Sequence, residues 1–168
     1  MALFLLPVLG SFFLHASGWR PGHTRNFGEL IDPPQDINAT KIRLADNTLL
    51  NWRNSDRRWT MLAYADSTCA DLCLNQLDAL QRARISLNKN MDRLRIVFIG
   101  NSFPTDQLSR FPSILFGKPE EKSASFPVSS EPDNLQVVLV DPAGLLMMRY
   151  SSGFDPNGLR KDLSRLIR

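Results

Sequence analysis

The hydrophobic and polar positions divide the chain into three stretches. The first fourteen residues, MALFLLPVLGSFFL, carry no charge, and the apolar character persists to Trp19. Nineteen helical residues would reach roughly 28 Å, about the thickness of a hydrocarbon core. Residues 1–19 are therefore expected to form a membrane-anchor helix, in which Pro7 and Gly10 are tolerated, with a buried core helix as the alternative. No Lys or Arg precedes the run, so a basic segment upstream of Met1 is expected, and Arg20 and Arg25 flank the far side. Residues 20–40 hold three prolines, two glycines and no sustained period, and predict a juxtamembrane linker or extended arm.

From residue 41 to residue 168 strand and helix patterns alternate. Trp59 to Ala65 (WTMLAYA) is short and uncharged, as expected of a strand buried on both faces. Cys73, Leu77, Leu80, Ala83 and Leu87 then recur at three- and four-residue steps, which predicts an amphipathic helix. Leu94 to Ile99 (LRIVFI) predicts a second buried strand, and Gln136 to Val140 (QVVLV) a third. Between them, residues 101–134 are rich in Pro, Ser and Glu, with at most one short helix near 105–110. Asp141-Pro142-Ala143-Gly144 fits a type I turn leading into a strand over 145–150. Asp155 and Pro156 then open a last helix lined by Leu159, Leu163 and Ile167. This order predicts an α/β sandwich with a central mixed sheet, and it is the order of the thioredoxin fold from its first strand–helix–strand unit onward.

Composition narrows the function classes. At 43% hydrophobic and 22% charged residues the chain is globular rather than disordered. Twenty Lys and Arg stand against 17 Asp and Glu. The excess lies in the last helix, where Arg160, Lys161, Arg165 and Arg168 face Asp162 alone. A basic helix end complements the helix dipole and is no nucleic-acid footprint. Two cysteines and two histidines exclude a disulfide scaffold, a zinc cluster and a Ser/His/Asp site.

The remaining chemistry is the run Ser67-Thr68-Cys69-Ala70-Asp71-Leu72-Cys73, between the first buried strand and the helix. Cys73 is expected in the first helical turn and Cys69 just ahead of it. Two thiols at a helix N-terminus can form a reversible disulfide or hold a soft ion such as Cu(I). Cys69, ahead of the helix and expected to face solvent, is the better attacking thiol, and Cys73 would resolve. Two buried small hydrophobes are the alternative. Asp71, between the cysteines, favours the helix start.

The run YADSTCADLC resembles the redox and copper motif of the Sco/SenC proteins, which assemble the copper centre of cytochrome c oxidase. VVLVDPAGLLMMRY is similar to that family's strand, Asp-Pro-x-Gly turn and strand, and WRPGHTRNFGELI to the juxtamembrane segment of its membrane-anchored proteobacterial members. The resemblance implies a thioredoxin-like three-layer sandwich behind an N-terminal transmembrane helix, held in the inner membrane with its domain in the periplasm. It also implies thiol–disulfide exchange by Cys69 and Cys73, transient binding of copper, and an oxidase subunit or another assembly factor as partner. Two features depart from the family. Ala70 and Leu74 replace the prolines that usually follow the cysteines. Asp133 stands eight residues before Asp141, where the family has its third copper ligand, a histidine. A carboxylate is a weak substitute for imidazole on Cu(I), so Asp133 is a weak metal candidate.

His15 and His23 lie in or beside the anchor, too far along the chain to join the dithiol, and Met147-Met148, Trp52 and Trp59 are expected to pack rather than bind. Two readings of function follow. The first is a thiol–disulfide oxidoreductase of oxidase assembly. The second is a non-catalytic thioredoxin-like module that docks an assembly complex by its surface and keeps its cysteines buried and unreactive.

Overall fold

The computed structural model describes residues 2–17, 26–65, 68–100, 103, 105–120 and 132–167. Seven strands, β1 (Glu29–Asp36), β2 (Ile42–Leu44), β3 (Trp59–Ala65), β4 (Leu94–Gly100), β5 (Ile114–Pro119), β6 (Gln136–Val140) and β7 (Leu145–Tyr150), form one sheet in the order β1-β7-β6-β3-β4-β5-β2. Strand β3 (Trp59–Ala65) lies at its centre, parallel to β4 (Leu94–Gly100) and antiparallel to β6 (Gln136–Val140). Helix α2 (Asp71–Ile85) crosses between β3 and β4, the expected strand–helix–strand unit. The turn Asp141–Gly144 leads from β6 into β7 (Leu145–Tyr150). The Asp141 carboxylate accepts from Ala143 N and Leu145 N, and Gly144 takes the positive φ of +84° that the turn requires. Helix α3 (Pro156–Leu166) opens with the Asp155 carboxylate accepting from Asn157 N and Gly158 N, as expected of an N-cap.

Period-2 alternation splits the core. Met61 and Ala63 point to one face, where they meet Leu77 and Leu80 of α2 and Leu159 and Leu163 of α3. Leu62 and Tyr64 point to the other, against Ile37, Leu50 and Trp52. Trp52 is a packing residue, as expected, with its indole N–H donated to Thr40 O at 2.7 Å. Both described amphipathic helices thus share one face of the sheet. The third layer is built from the irregular chain between residues 37 and 52, with no helix among the described residues there.

Several elements differ from the sequence expectation. The stretch 20–40 is more than a linker. Its residues Glu29–Asp36 form β1, an edge strand antiparallel to β7 with an irregular register between Leu30 and Gln35. Pro33 and Pro34 hid it, because proline cannot donate to a ladder and is accepted only on such an edge. The sheet therefore begins before residue 41. Strand β5 (Ile114–Pro119) runs through the stretch expected to be irregular, parallel to β4, and β2 (Ile42–Leu44) pairs with it. Strand β5 (ILFGKP) is interrupted by Gly117 and Pro119 and β2 has three residues, so neither stands out as a pattern; β5 adds to the free edge of β4, and β2 to that of β5. Residues Thr105–Arg110 do form a helical segment, of the tighter 3-10 kind.

Helix α1 spans Ala2–Ala16, short of Trp19. Fifteen residues reach only about 22 Å, and no described helix is long and apolar enough to cross a membrane. Leu6, Phe12 and Phe13 are each more than two-thirds exposed. His15 sits in the last turn of α1, while His23, Arg20 and Arg25 lie outside the described residues.

Candidate functional site

Strand β3 ends at Ala65 and α2 begins at Asp71, so the connection carries Cys69 over the end of the sheet and Cys73 into the first helical turn. Ser67, the first residue of the motif, lies outside the described residues. Cys69 and Cys73 form a disulfide, their Cα atoms 5.2 Å apart. Among the described residues there is no free cysteine. The bridge sits at the edge of the helix-side core with Met61, Ala65, Leu77 and Phe98 in the same cluster.

Both cysteines are fully buried, which corrects the expectation that Cys69 faces solvent. The cause is local. Thr68 and Ala70 on either side of Cys69 are exposed, as are Asp71 and Leu72. The chain folds its two sulfurs inward and turns Thr68 and residues 70–72 outward. The disulfide therefore lies one residue below the surface under a short, exposed rim.

A helix start leaves backbone N–H groups without intrahelical partners. At α2 the N-cap residue is Ala70, which has no side chain to satisfy them. The partner comes from the turn before β6. Asp133 Oδ1 accepts from Ala70 N at 2.6 Å and from Cys73 N at 3.2 Å, and its Oδ2 accepts from Leu72 N at 2.9 Å. Asp133 holds a φ of +54°, a left-handed backbone that Asp tolerates better than most residues. The next two residues fasten the same helix. Gln76 donates its Nε2 to Asn134 Oδ1 at 2.6 Å and accepts from Leu135 N at 2.8 Å.

These contacts decide how a copper ion would fit. The three-ligand site implied by the family motif needs Asp133 as a donor beside two free sulfurs. Asp133 instead already holds three backbone N–H groups as the cap of α2. Among the described residues no group of three or more His, Cys, Asp or Glu side chains could hold a metal ion. The residues present do not fit a three-ligand copper site, and Asp133 as a metal ligand is corrected to Asp133 as a remote helix cap. Met148 is likewise a core residue, buried beside Tyr150. The structure thus brings together Cys69, Cys73 and Asp133, with Asp71 on the rim, while His15 lies in α1 and His23 is outside the described residues.

No curated protein matches the chain by sequence. Among solved structures, yeast Sco1 superposes with a TM-score of 0.60 at 16% identity, over 76% of this chain and 91% of that one. The copper-bound ScoI of Arabidopsis thaliana gives 0.55 at 16% identity, over 83% and 96%. BsSco, a member of the Sco family of cytochrome c oxidase assembly proteins described as holding a disulfide switch, gives 0.52 at 15% identity, over 81% and 99%. The thioredoxin-like fold read from the sequence, with its mixed sheet, is therefore the fold of Sco proteins. Residues 59–168, which carry the cysteine pair, both amphipathic helices and five of the seven strands, match one family of domains throughout. The chain belongs to the thioredoxin-like family described as the transmembrane-like, thioredoxin-like, C-terminal domain.

Proposed function

We propose that this chain is a Sco/SenC-like assembly factor for cytochrome c oxidase that works by thiol–disulfide exchange at Cys69 and Cys73. The observation that carries the reading is the disulfide itself. It joins the only two cysteines of the chain, at the strand-to-helix junction of a thioredoxin-like fold. The uncharged, exposed α1 supports an inner-membrane anchor completed by neighbouring residues, with the domain in the periplasm, where a disulfide can persist.

In the exchange, the pair starts as a dithiol. The Cys69 thiolate attacks a sulfur of the partner's disulfide, that S–S bond breaks, and a mixed disulfide forms. Cys73 then attacks Cys69 Sγ and releases the partner's second sulfur. The partner gains two electrons and two protons, and the Cys69–Cys73 disulfide is the product. A dithiol reductant returns the pair to its starting state. Because both sulfurs are buried, each attack requires the exposed rim of residues 68–72 to open locally. Reduced, the same two thiolates would also hold Cu(I) transiently as cargo, without Asp133 as a third ligand, and no step of the exchange passes through the metal.

The same burial favours a second reading, the non-catalytic module whose disulfide never exchanges. A trapping experiment separates the two. The full-length Cys73→Ser variant, reduced and mixed with an oxidised oxidase subunit bearing a cysteine pair, is expected to accumulate a mixed disulfide through Cys69, read by non-reducing electrophoresis and mass spectrometry. Absence of that adduct, with the variant folded, supports the docking module.

A further inference from the structure

Ala70 offers no cap, so the first turn of α2 depends on a charge carried 60 residues further along the chain. That charge serves the two cysteines and the segment between them. Among its donors are the N–H groups of Ala70, Leu72 and Cys73, within a stretch that begins one residue after Cys69. Helix-start N–H groups are the donors that stabilise negative charge on a cysteine sulfur at this position in the fold. Here a carboxylate occupies them, and it places its own negative charge beside the bridge. Gln76, Asn134 and Leu135 hold it there.

We propose that Asp133 is a positioning residue that biases the Cys69–Cys73 couple toward the disulfide, making the reduced pair a ready electron donor. The physical reason is a difference between two states. A disulfide is neutral and needs no N–H donors, so it coexists with the carboxylate at no electrostatic cost. Reduction to the attacking form adds two electrons and one proton and yields one thiol and one thiolate, whose negative charge then stands next to a carboxylate that has taken helix-start donors. A couple whose reduced form is stabilised is oxidising, and one whose reduced form is left unsupported is reducing. The bias sets the direction of the exchange. Electrons would flow from this pair to a partner disulfide, in keeping with a chain that reduces its client. The inference rests on the exchange reading above and adds the residue that sets its direction.

The test is the equilibrium of the full-length protein with reduced and oxidised dithiothreitol at one neutral pH, the dithiol fraction being counted by alkylation and mass spectrometry. Asp133→Asn keeps a side-chain acceptor for the helix start and removes the charge. It is expected to shift the equilibrium constant about tenfold toward the dithiol, which corresponds to a potential about 30 mV more positive. Asp133→Ser, uncharged with a shorter acceptor, is expected to shift it in the same sense and serves if the Asn variant does not fold. Thermal unfolding of the oxidised proteins reads the loss of the cap separately, which a purely structural role would move alone. A shift of threefold or more toward the dithiol supports the role. A smaller shift, or one toward the disulfide, overturns it while leaving the exchange reading intact. A wild-type protein that never equilibrates with the dithiol overturns the exchange reading and this inference with it.

Discussion

Cys69→Ser is expected to reduce thiol–disulfide exchange to the background of the added thiol alone while leaving the fold in place. The asymmetry follows from the size of the loop that the bridge closes. A disulfide stabilises mainly by restricting the unfolded chain, and the restriction grows with loop length. With a sequence separation of four, the chain-entropy relation gives only about 2 kcal/mol. A domain of ordinary stability, about 5–15 kcal/mol, survives that loss. Each cysteine is nevertheless indispensable to a two-thiol cycle, so the effect on exchange is complete where the effect on stability is modest. Circular dichroism and denaturant titration of the variant check the second half of the expectation. An insulin-reduction or client-reduction assay checks the first. A bridge that is a poor staple and sits where this fold does its chemistry is better explained by electron transfer than by stability.

The opposite pattern, a large loss of stability with the exchange chemistry untouched, is expected at Asp162. This side chain, on the sheet-facing side of α3, is 1% exposed. Its Oδ2 accepts from Phe27 N at 2.8 Å, from Gly28 N at 3.0 Å and from the Tyr150 hydroxyl at 3.2 Å. Arg165, half-exposed, pairs with Oδ1 at 3.5 Å. Burial, and then the charge and hydrogen bond of Asp162, push the Tyr150 phenol well above its ordinary range, so it remains a donor. Phe27 also lies against Gly158, where a Cβ would come within 2.5 Å of its ring. One carboxylate therefore fastens the start of β1 to α3 and β7. Asp162→Ala leaves two backbone N–H groups and one hydroxyl without their acceptor, at about 1–3 kcal/mol for each group that stays buried. These costs are not additive, and loss of a buried charged partner typically costs about 3–5 kcal/mol in all. We expect a loss of about 4 kcal/mol and a melting temperature lower by roughly 8–16 °C. Hydrogen exchange should locate the damage, with the amides of Phe27 and Gly28 losing protection before those of β3. Unchanged protection there would contradict the fastening role.

The two residues also mark the limit of what is legible in the sequence. Elements that announce themselves by period were readable: the buried strands over 59–65 and 136–140, the stripe of α2, the turn at Asp141 and the cap at Asp155. Cys69 and Cys73 were readable as a pair because spacing and position are local properties. Burial of the sulfurs was not, because it depends on which way the loop folds its flanks. Asp133 meets α2 from 60 residues away, and its identity in the sequence pointed to a weakened metal ligand. The available signal was an absence, since Ala70 begins a helix with nothing to cap it. Asp162 likewise sits between Leu159 and Leu163 on a buried stripe, and an acid in that place calls for donors that the helix itself cannot supply. Strand β1 was hidden by Pro33 and Pro34, whose edge position becomes evident only once β7 is present to pair with it.

The proposed cycle depends on native-state exchange of a buried disulfide. Its most direct test is the rate at which dithiothreitol reduces Cys69–Cys73 in the folded, full-length protein as urea is raised through concentrations well below unfolding. Local opening of residues 68–72 exposes little surface, so the rate is expected to be measurable in water and nearly independent of urea. A rate that vanishes in water and rises with the full denaturant dependence of global unfolding would contradict exchange and leave the disulfide a fixed part of the core.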